Sequence, residues 1–509
     1  MKAFLMYKDR DFDLHQKLPV NAEDLTQDLE LNTLFNAMAR GDKFLLEVAK
    51  TAVLCGADHS PDAILYRQAV LKDCLKNSAV VREIYAIAIE ALERERKVFW
   101  GIFSKYPDAI LHRAVEVMLI FVELLKRLKT LAEKHANEFD SEGFRTFFDM
   151  INRELNAEYF AVIQHHLREL KFRDGVLISA RLGKGNRGED YVLRKHTAQK
   201  RSLVERVFSR KPRSFTFYIA ERDENGYRAL SELKDRGINL VANALAQSTE
   251  HILSFFTMLR TELAFYVGCL NLHEQLIQKG VPVCFPQPAP AYERRHSGKE
   301  IRDVCLVLTL EQPVVGNDLK ADGKNLVIIT GANQGGKSTF LRGIGLAQLM
   351  MQCGMFVTAE AFSSNLCDGF FTHFKREEDV TMKSGKLDEE LSRMSNIIDQ
   401  LTPNAMLLLN ESFAATNERE GSEIARQIIS ALLEKRIKVF YVTHLYDFAS
   451  RFYRLGREDV VSLRAERGVN GERTFKLVEG EPLPTSFGKD LYAGVFENTN
   501  LFLSSCTDE

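Results

Sequence analysis

The sequence predicts a multidomain protein. A helical core/lever domain carries a small basic β-containing insertion and is followed by an α/β domain built around a phosphate-binding loop. Three observations lead there. From about residue 28 to 170, apolar positions recur at three- and four-residue steps with little proline. From 171 onward, glycines and basic residues accumulate. Finally, LVIITGANQGGKSTFL (326–341) joins a β-branched run to a glycine-rich turn and then a helical pattern.

A chain of 509 residues has room for two to four domains, each with its own core. Hydrophobic content of 45% and charged content of 27% are ordinary for a globular protein. The formal charge of −2 excludes a uniformly basic nucleic-acid binder, so any basic surface must be local. Eight scattered cysteines without a C-x-x-C pair argue against a disulfide framework and a zinc site. The apolar start is too short for a signal peptide, and the run Val115–Leu125 is interrupted by Glu116 and Glu123. The expectation is a cytoplasmic protein (nucleoid-associated if bacterial) with no membrane partner.

After an N-terminal segment (1–27), residues 28–170 read as a helical core. Ser60-Pro61 supplies an N-cap and a first-turn proline for the helix bearing Ile64, Arg67, Gln68 and Leu71. A second helix is expected over Leu111–Leu131. The insertion, 171–231, contains the strand-like VLISARL and a basic excess that includes Lys184, Arg187, Arg194 and Lys195. Such residues on a β-loop suit sequence-independent contact with a phosphate backbone. A solvated loop without specific partners explains the same composition. The lever, 232–281, is one long helix over about 238–279 that stops at Gly280-Val281-Pro282. Residues 282–312 read as a linker and the first strands of the α/β domain, with VCLVLTL (304–310) taken as a strand.

Residues 313–509 hold the chemistry. Gly331, Gly336, Lys337 and Ser338 form G-x-x-x-x-G-K-S between strand and helix, the arrangement that wraps backbone N–H groups around phosphate oxygens. The helix N-terminus adds partial positive charge. Lys337 is expected on the β- and γ-phosphates and Ser338 on Mg²⁺. The apolar run 405–409 delivers Asn410-Glu411 to a strand end, where Glu411 has the carboxylate of a general base. Asn410 stands where an acid normally holds Mg²⁺. Replacing a charge-assisted contact by a neutral one costs roughly 1–2 kcal/mol, about tenfold in affinity. His444 follows a second buried strand, Val439–Thr443, where it either senses a γ-phosphate or is a structural histidine.

Together, TGANQGGKSTFLR, LLLNESFAATNEREG, VTHLYDF, the SFG of Ser486–Gly488 and Asn317-Asp318-Leu319 resemble the ATPase domain of the MutS family of DNA mismatch-repair proteins. ILYRQAVLKDCL and the long helix are similar to that family's core and lever. The resemblance implies an α/β P-loop (ABC-type) ATPase domain, ATP and Mg²⁺ as cofactors, a homodimer, and lever arms around DNA. It makes Asn333, Gly335, Gly336, Lys337, Ser338 and Thr339 nucleotide contacts, Glu411 the catalytic base and His444 the γ-phosphate sensor. Ser338 and Asn410, the latter through water, fall on the metal.

The chain departs from the family pattern in four ways. Asn410 replaces the usual aspartate, and Val314 occupies the place of an adenine-stacking aromatic. Ser384–Met394 (SGKLDEELSRM) stands where a serine-rich stretch crosses the dimer, and an N-terminal mismatch-reading domain before the core is expected to be lacking. The expectation is a short, divergent MutS-like protein in which ATP binding and hydrolysis drive clamping of DNA by shape or backbone, in mismatch repair or recombination. The alternative is an ATP-switched dimeric scaffold with little or no hydrolysis.

Overall fold

A computed structural model describes residues 1–57, 60–98, 106–172, 175–186, 188–195, 218–220, 222–376, 385–468 and 472–484. Arg187, Ser384 and Ser486–Gly488 lie outside the described residues. The chain divides into two compact units: residues 1–3, 79–139 and 145–260 form one, and 4–78, 140–144 and 261–509 the other. Residues 28–78 therefore pack with the α/β part rather than with the remaining helices of 28–170.

Helices open the chain: α1 (Ala22–Asp28), α2 (Leu31–Ala39), α3 (Lys43–Cys55), α4 (Pro61–Lys76), α5 (Ser78–Lys97), α6 (Pro107–His135), α7 (Glu142–Glu154) and α8 (Ala157–Glu169). Their starts are set by local chemistry. Ser60 Oγ accepts the Asp62 N–H before Pro61, as expected from sequence, and Asp42 and Asn156 cap α3 and α8 in the same way. The buried Asp73 carboxylate accepts the N–H groups of Asp140 and Ser141 just before α7.

In the first unit, Phe121 on α6 packs on Phe256 with ring centroids 5.6 Å apart. The expected strand in VLISARL is β1 (Ile178–Leu182), and it pairs antiparallel with β2 (Gly188–Leu193). The long helix, α9 (Glu224–Gln278), begins well before the expected 238. It stops as its sequence dictates: Gly280 adopts φ +65°, its N–H donates to Ile277 O, and Val281 N–H reaches back to Leu276 O. By length and composition α9 is apolar enough to cross a bilayer, but 72% of its apolar window is buried within the protein.

In the second unit the N-terminal segment is threaded against α9. Glu262, on that helix, accepts the N–H groups of Leu5, Met6 and Phe12, while the Tyr266 hydroxyl donates to Leu5 O. The linker region contains β3 (Gln287–Ala289) and β4 (His296–Ile301). VCLVLTL is a correction: residues Val304–Thr309 form helix α10, not a strand. Its β-branched composition suits a strand, but Asp303 Oδ1 caps the Leu306 N–H and nucleates a helical turn, and burial of Val304, Cys305 and Val307 holds it.

Next come β5 (Asn317–Lys320), β6 (Leu326–Thr330), α11 (Lys337–Gln352), β7 (Ala361–Asn365), β8 (Phe370–Phe374), α12 (Lys386–Ile398), β9 (Met406–Asn410), α13 (Glu418–Glu434), β10 (Lys438–Val442), α14 (Tyr446–Arg454), β11 (Val460–Arg467) and β12 (Arg473–Glu479). Six strands form one sheet in the order β12-β11-β6-β10-β9-β8, parallel except for β12, which is antiparallel to β11. A second sheet runs β3-β7-β4-β5. Every residue of β6 and β10 is buried, the apolar ones as strands covered on both faces of a parallel sheet require, and Thr330 and Lys438 with them. Register aligns Val442 with both Ile329 and Asn410, and Asn410 with Phe374. The carboxyl ends of β6, β10, β9 and β8 therefore lie at one level, and the loops that follow them share one edge of the sheet.

Candidate functional site: a glycine-rich loop facing an acid–histidine pair

The loop after β6 folds as its glycines allow. Gly331 has φ +114°, and a Cβ there would lie 2.8 Å from Ala465 N; Gly336, with φ +85°, is the residue before α11. Lys337 is buried, and its Nζ donates to Gly331 O at 3.0 Å and Ala332 O at 2.8 Å. Burial lowers its pKa, and the charge of Glu411 opposes that shift. Ser338 Oγ donates to Asn410 Oδ1 at 3.0 Å, which joins the start of α11 to the end of β9.

Glu411, immediately after β9, has φ +55°, and its N–H donates to Val442 O. Its Oε1 lies 2.8 Å from His444 Nε2, and its Oε2 lies 4.0 Å from Lys375 Nζ. The His444 hydrogen bond holds the Glu411 carboxyl below its ordinary range. Burial opposes this, and the charges of His444, Lys375 and Lys337 assist it.

Of the residues expected at the nucleotide, Asn333, Gly335, Gly336, Lys337, Ser338, Thr339 and Glu411 line one cavity of about 440 Å³. Gly331 and His444 line an adjoining space of about 180 Å³. The Glu411–His444 bond connects the two, and Asn410 joins through Ser338. The basic residues form no such constellation. Arg194 Nε donates to Ser179 Oγ and Lys195 Nζ to His165 Nε2, and both line a cavity of about 750 Å³ in the other unit; Lys184 lies in the turn between β1 and β2 and does not line it.

Apart from Val314, sequence reasoning missed one wall of the cavity of about 440 Å³. Val314 lines it, as do Leu310, Val315 and the partly exposed Phe475 of β12. Asn317 clips that strand in place: its Nδ2 donates to Phe475 O, and its Oδ1 accepts the Leu477 N–H. Arg473 bonds Gln334 of the loop. The alternation in RTFKLVE marks a strand, but only the pairing of β12 with β11, and of β11 with β6, brings Phe475 to the loop.

The loop cradle, the buried ammonium group and the oxygen donors of Ser338 and Asn410 fit a nucleoside triphosphate with Mg²⁺.

A family model for the MutS2 N-terminal domain matches residues 59–279, and one for MutS domain V matches 327–491. The DNA mismatch repair protein MutS of Chloroflexus aurantiacus is 26% identical over 370 residues, covering 71% of this chain and 33% of the relative. That of Thermotoga maritima is 33% identical over 173 residues, 33% of this chain and 22% of the relative. MutS protein homolog 4 of Homo sapiens is 30% identical over 140 residues, 28% of this chain and 15% of the relative. The chain thus spans a third or less of the length of these curated relatives. Two matches to one family, on either side of the 280–326 connection and at modest identity, place the chain in the MutS family.

Proposed function

We propose that this protein is an ATP-dependent DNA-binding protein in which binding and hydrolysis of ATP drive the clamping of DNA, acting as a homodimer. The observation that carries the reading is the meeting of Lys337, the Ser338–Asn410 pair and the Glu411–His444 pair at the carboxyl edge of one parallel sheet. On this reading residues 313–509 are the P-loop ATPase domain, 28–170 the core, 232–281 the lever and 171–231 a DNA clamp.

Loop N–H groups and Lys337 bind the phosphates, and Phe475 with Val314 encloses the base. Ser338 and Asn410, the latter through water, hold Mg²⁺, which supplies charge neutralisation along the phosphates. Glu411, kept ionised by His444, takes a proton from the attacking water, and His444 faces the γ-phosphate. Lys184, Arg187, Arg194 and Lys195 meet the DNA backbone without reading bases.

The test is DNA-stimulated hydrolysis by the full chain. Lys337→Ala and Glu411→Ala are each expected to abolish it, and intact hydrolysis in either removes the site assignment. Competition among homoduplex, mismatched and branched DNA, with and without ATP, reads the ligand. A preference for branched DNA is expected, and a strong preference for the mismatch overturns that part. Charge reversal at the four basic residues is expected to weaken binding and flatten its salt dependence, whereas unchanged affinity frees them of the role.

A second reading has its own support. The Ser338–Asn410 pair is neutral, which favours an ATP-switched dimeric scaffold with little turnover. Tight ATP binding with a wild-type rate equal to that of Glu411→Ala selects it.

A further inference from the structure

A buried relay between β8 and α12 plays no part in the reading above. His373 on β8 is fully buried, with partners at both ring nitrogens: Nδ1 lies 2.7 Å from Ser412 Oγ, and Nε2 lies 3.1 Å from the backbone carbonyl of Glu390 on α12. Burial pushes the ring down to about 4, so it is neutral at pH 7 and carries a single N–H. A carbonyl only accepts, so that proton belongs on Nε2. Nδ1 is then left as an acceptor that shares the single Ser412 hydroxyl proton with the His373 carbonyl, 2.8 Å from the same oxygen.

Ser412 directly follows Glu411, and the turn around it is strained. Glu411 (φ +55°) and Phe413 (φ +65°) flank it in the left-handed region, which residues with a Cβ rarely occupy. Such a turn persists only where its surroundings over-determine it. Here Tyr441 Oη donates to Ser412 O at 2.6 Å, and the His373 ring stacks on Phe413 with centroids 5.9 Å apart. Glu390 is buried as well. Burial raises its carboxyl pKa. Helix α12 thus reaches the turn through its backbone, by way of His373.

We propose that His373 is a positioning residue for Glu411. By binding Ser412 on one side and the Glu390 carbonyl on the other, it ties the turn that aims the Glu411 carboxylate to the placement of α12. ATP turnover then depends on how α12 is seated, while nucleotide binding does not. The proposal rests on the reading of Glu411 as the base in ATP hydrolysis. It also gives Lys386–Met394, the described helical part of the divergent 384–394 stretch, a route to the chemistry within its own subunit.

The experiment compares kcat and ATP dissociation constant in the full chain for wild type, His373→Ala, His373→Asn, His373→Gln and Ser412→Ala. Asparagine keeps an acceptor near the Nδ1 position for Ser412, whereas glutamine keeps a donor near Nε2 for Glu390. His373→Ala and Ser412→Ala are expected to lower kcat at least tenfold with the dissociation constant within twofold. His373→Asn should recover most of that rate and His373→Gln should not. Wild-type kcat in both alanine variants overturns the proposal, as does a parallel loss of rate and affinity that asparagine fails to rescue. A wild-type rate no higher than that of Glu411→Ala removes the hydrolytic reading and this proposal together. An unaffected His373→Ala beside an active wild type removes the proposal alone.

Discussion

His444 Nε2 lies 2.8 Å from Glu411 Oε1, and this one bond joins the ends of two adjacent parallel strands, β10 and β9. It is the leading reason that the Glu411 carboxyl is held below its ordinary range. A depressed carboxyl stays ionised until the pH falls through its lowered value, so activity that needs the carboxylate survives into mild acid. His444→Ala is expected to cut kcat and to move the acid limb of the pH–rate profile upward, towards the ordinary glutamate value. A pH–rate series on both proteins checks this, and an acid limb left where it was refutes the electrostatic link.

The bond from Ser338 Oγ to Asn410 Oδ1 leaves an uncharged pair where a divalent cation is expected. Asn410→Asp restores a charge-assisted contact worth roughly 1–2 kcal/mol. The concentration of Mg²⁺ that half-saturates turnover should fall about tenfold. Magnesium titration of ATP hydrolysis measures it, and an unchanged midpoint shows that Asn410 does not face the metal.

Phe475 is partly exposed on the apolar wall of the cavity, with its backbone clipped by Asn317. Removing an aromatic contact of this kind costs about 1 kcal/mol. Phe475→Ala is expected to weaken nucleotide binding about fivefold, and Phe475→Tyr to leave it nearly intact. Equilibrium binding of a fluorescent ATP analogue separates these outcomes, and equal affinities for both variants would place the base elsewhere.

Glu262 is a pH-dependent element of the fold. Burial pushes its carboxyl up to about 7, against the pull of the Leu5, Phe12 and Met6 N–H groups. An acid raised in the folded state binds more protons there than in the unfolded chain. Stability therefore falls as pH rises from about 4.5 to about 7 and levels off above that, by at most about 3 kcal/mol. Thermal unfolding at pH 5 to 8 should show this slope in the wild type, and Glu262→Gln should flatten it while lowering stability throughout. Equal slopes in the two proteins would exclude Glu262 as the titrating group.

What was legible in sequence was local. Ser60-Pro61 starts α4, Gly280 ends α9, and the loop from Gly331 to Ser338 lies between strand and helix, because caps, left-handed glycines and hydrophobic period act over a few residues. The same locality explains the one wrong element. VCLVLTL has strand composition, and only the Asp303 cap and its buried setting make it a helix.

The site required more than one segment. Lys337, Asn410, Glu411 and His444 were each recognisable by position along the chain. Their meeting depends on β10 pairing with both β6 and β9, which sets three strand ends level. Phe475 comes to the cavity only by β12 pairing with β11, and the seating of Ser412 only by the placement of His373 and Tyr441 around it. The sequence by itself determined which groups are present and which local turns carry them. Tertiary structure alone decided which of them touch, because contacts between residues far apart in the chain are set by sheet order and packing rather than by any local signal.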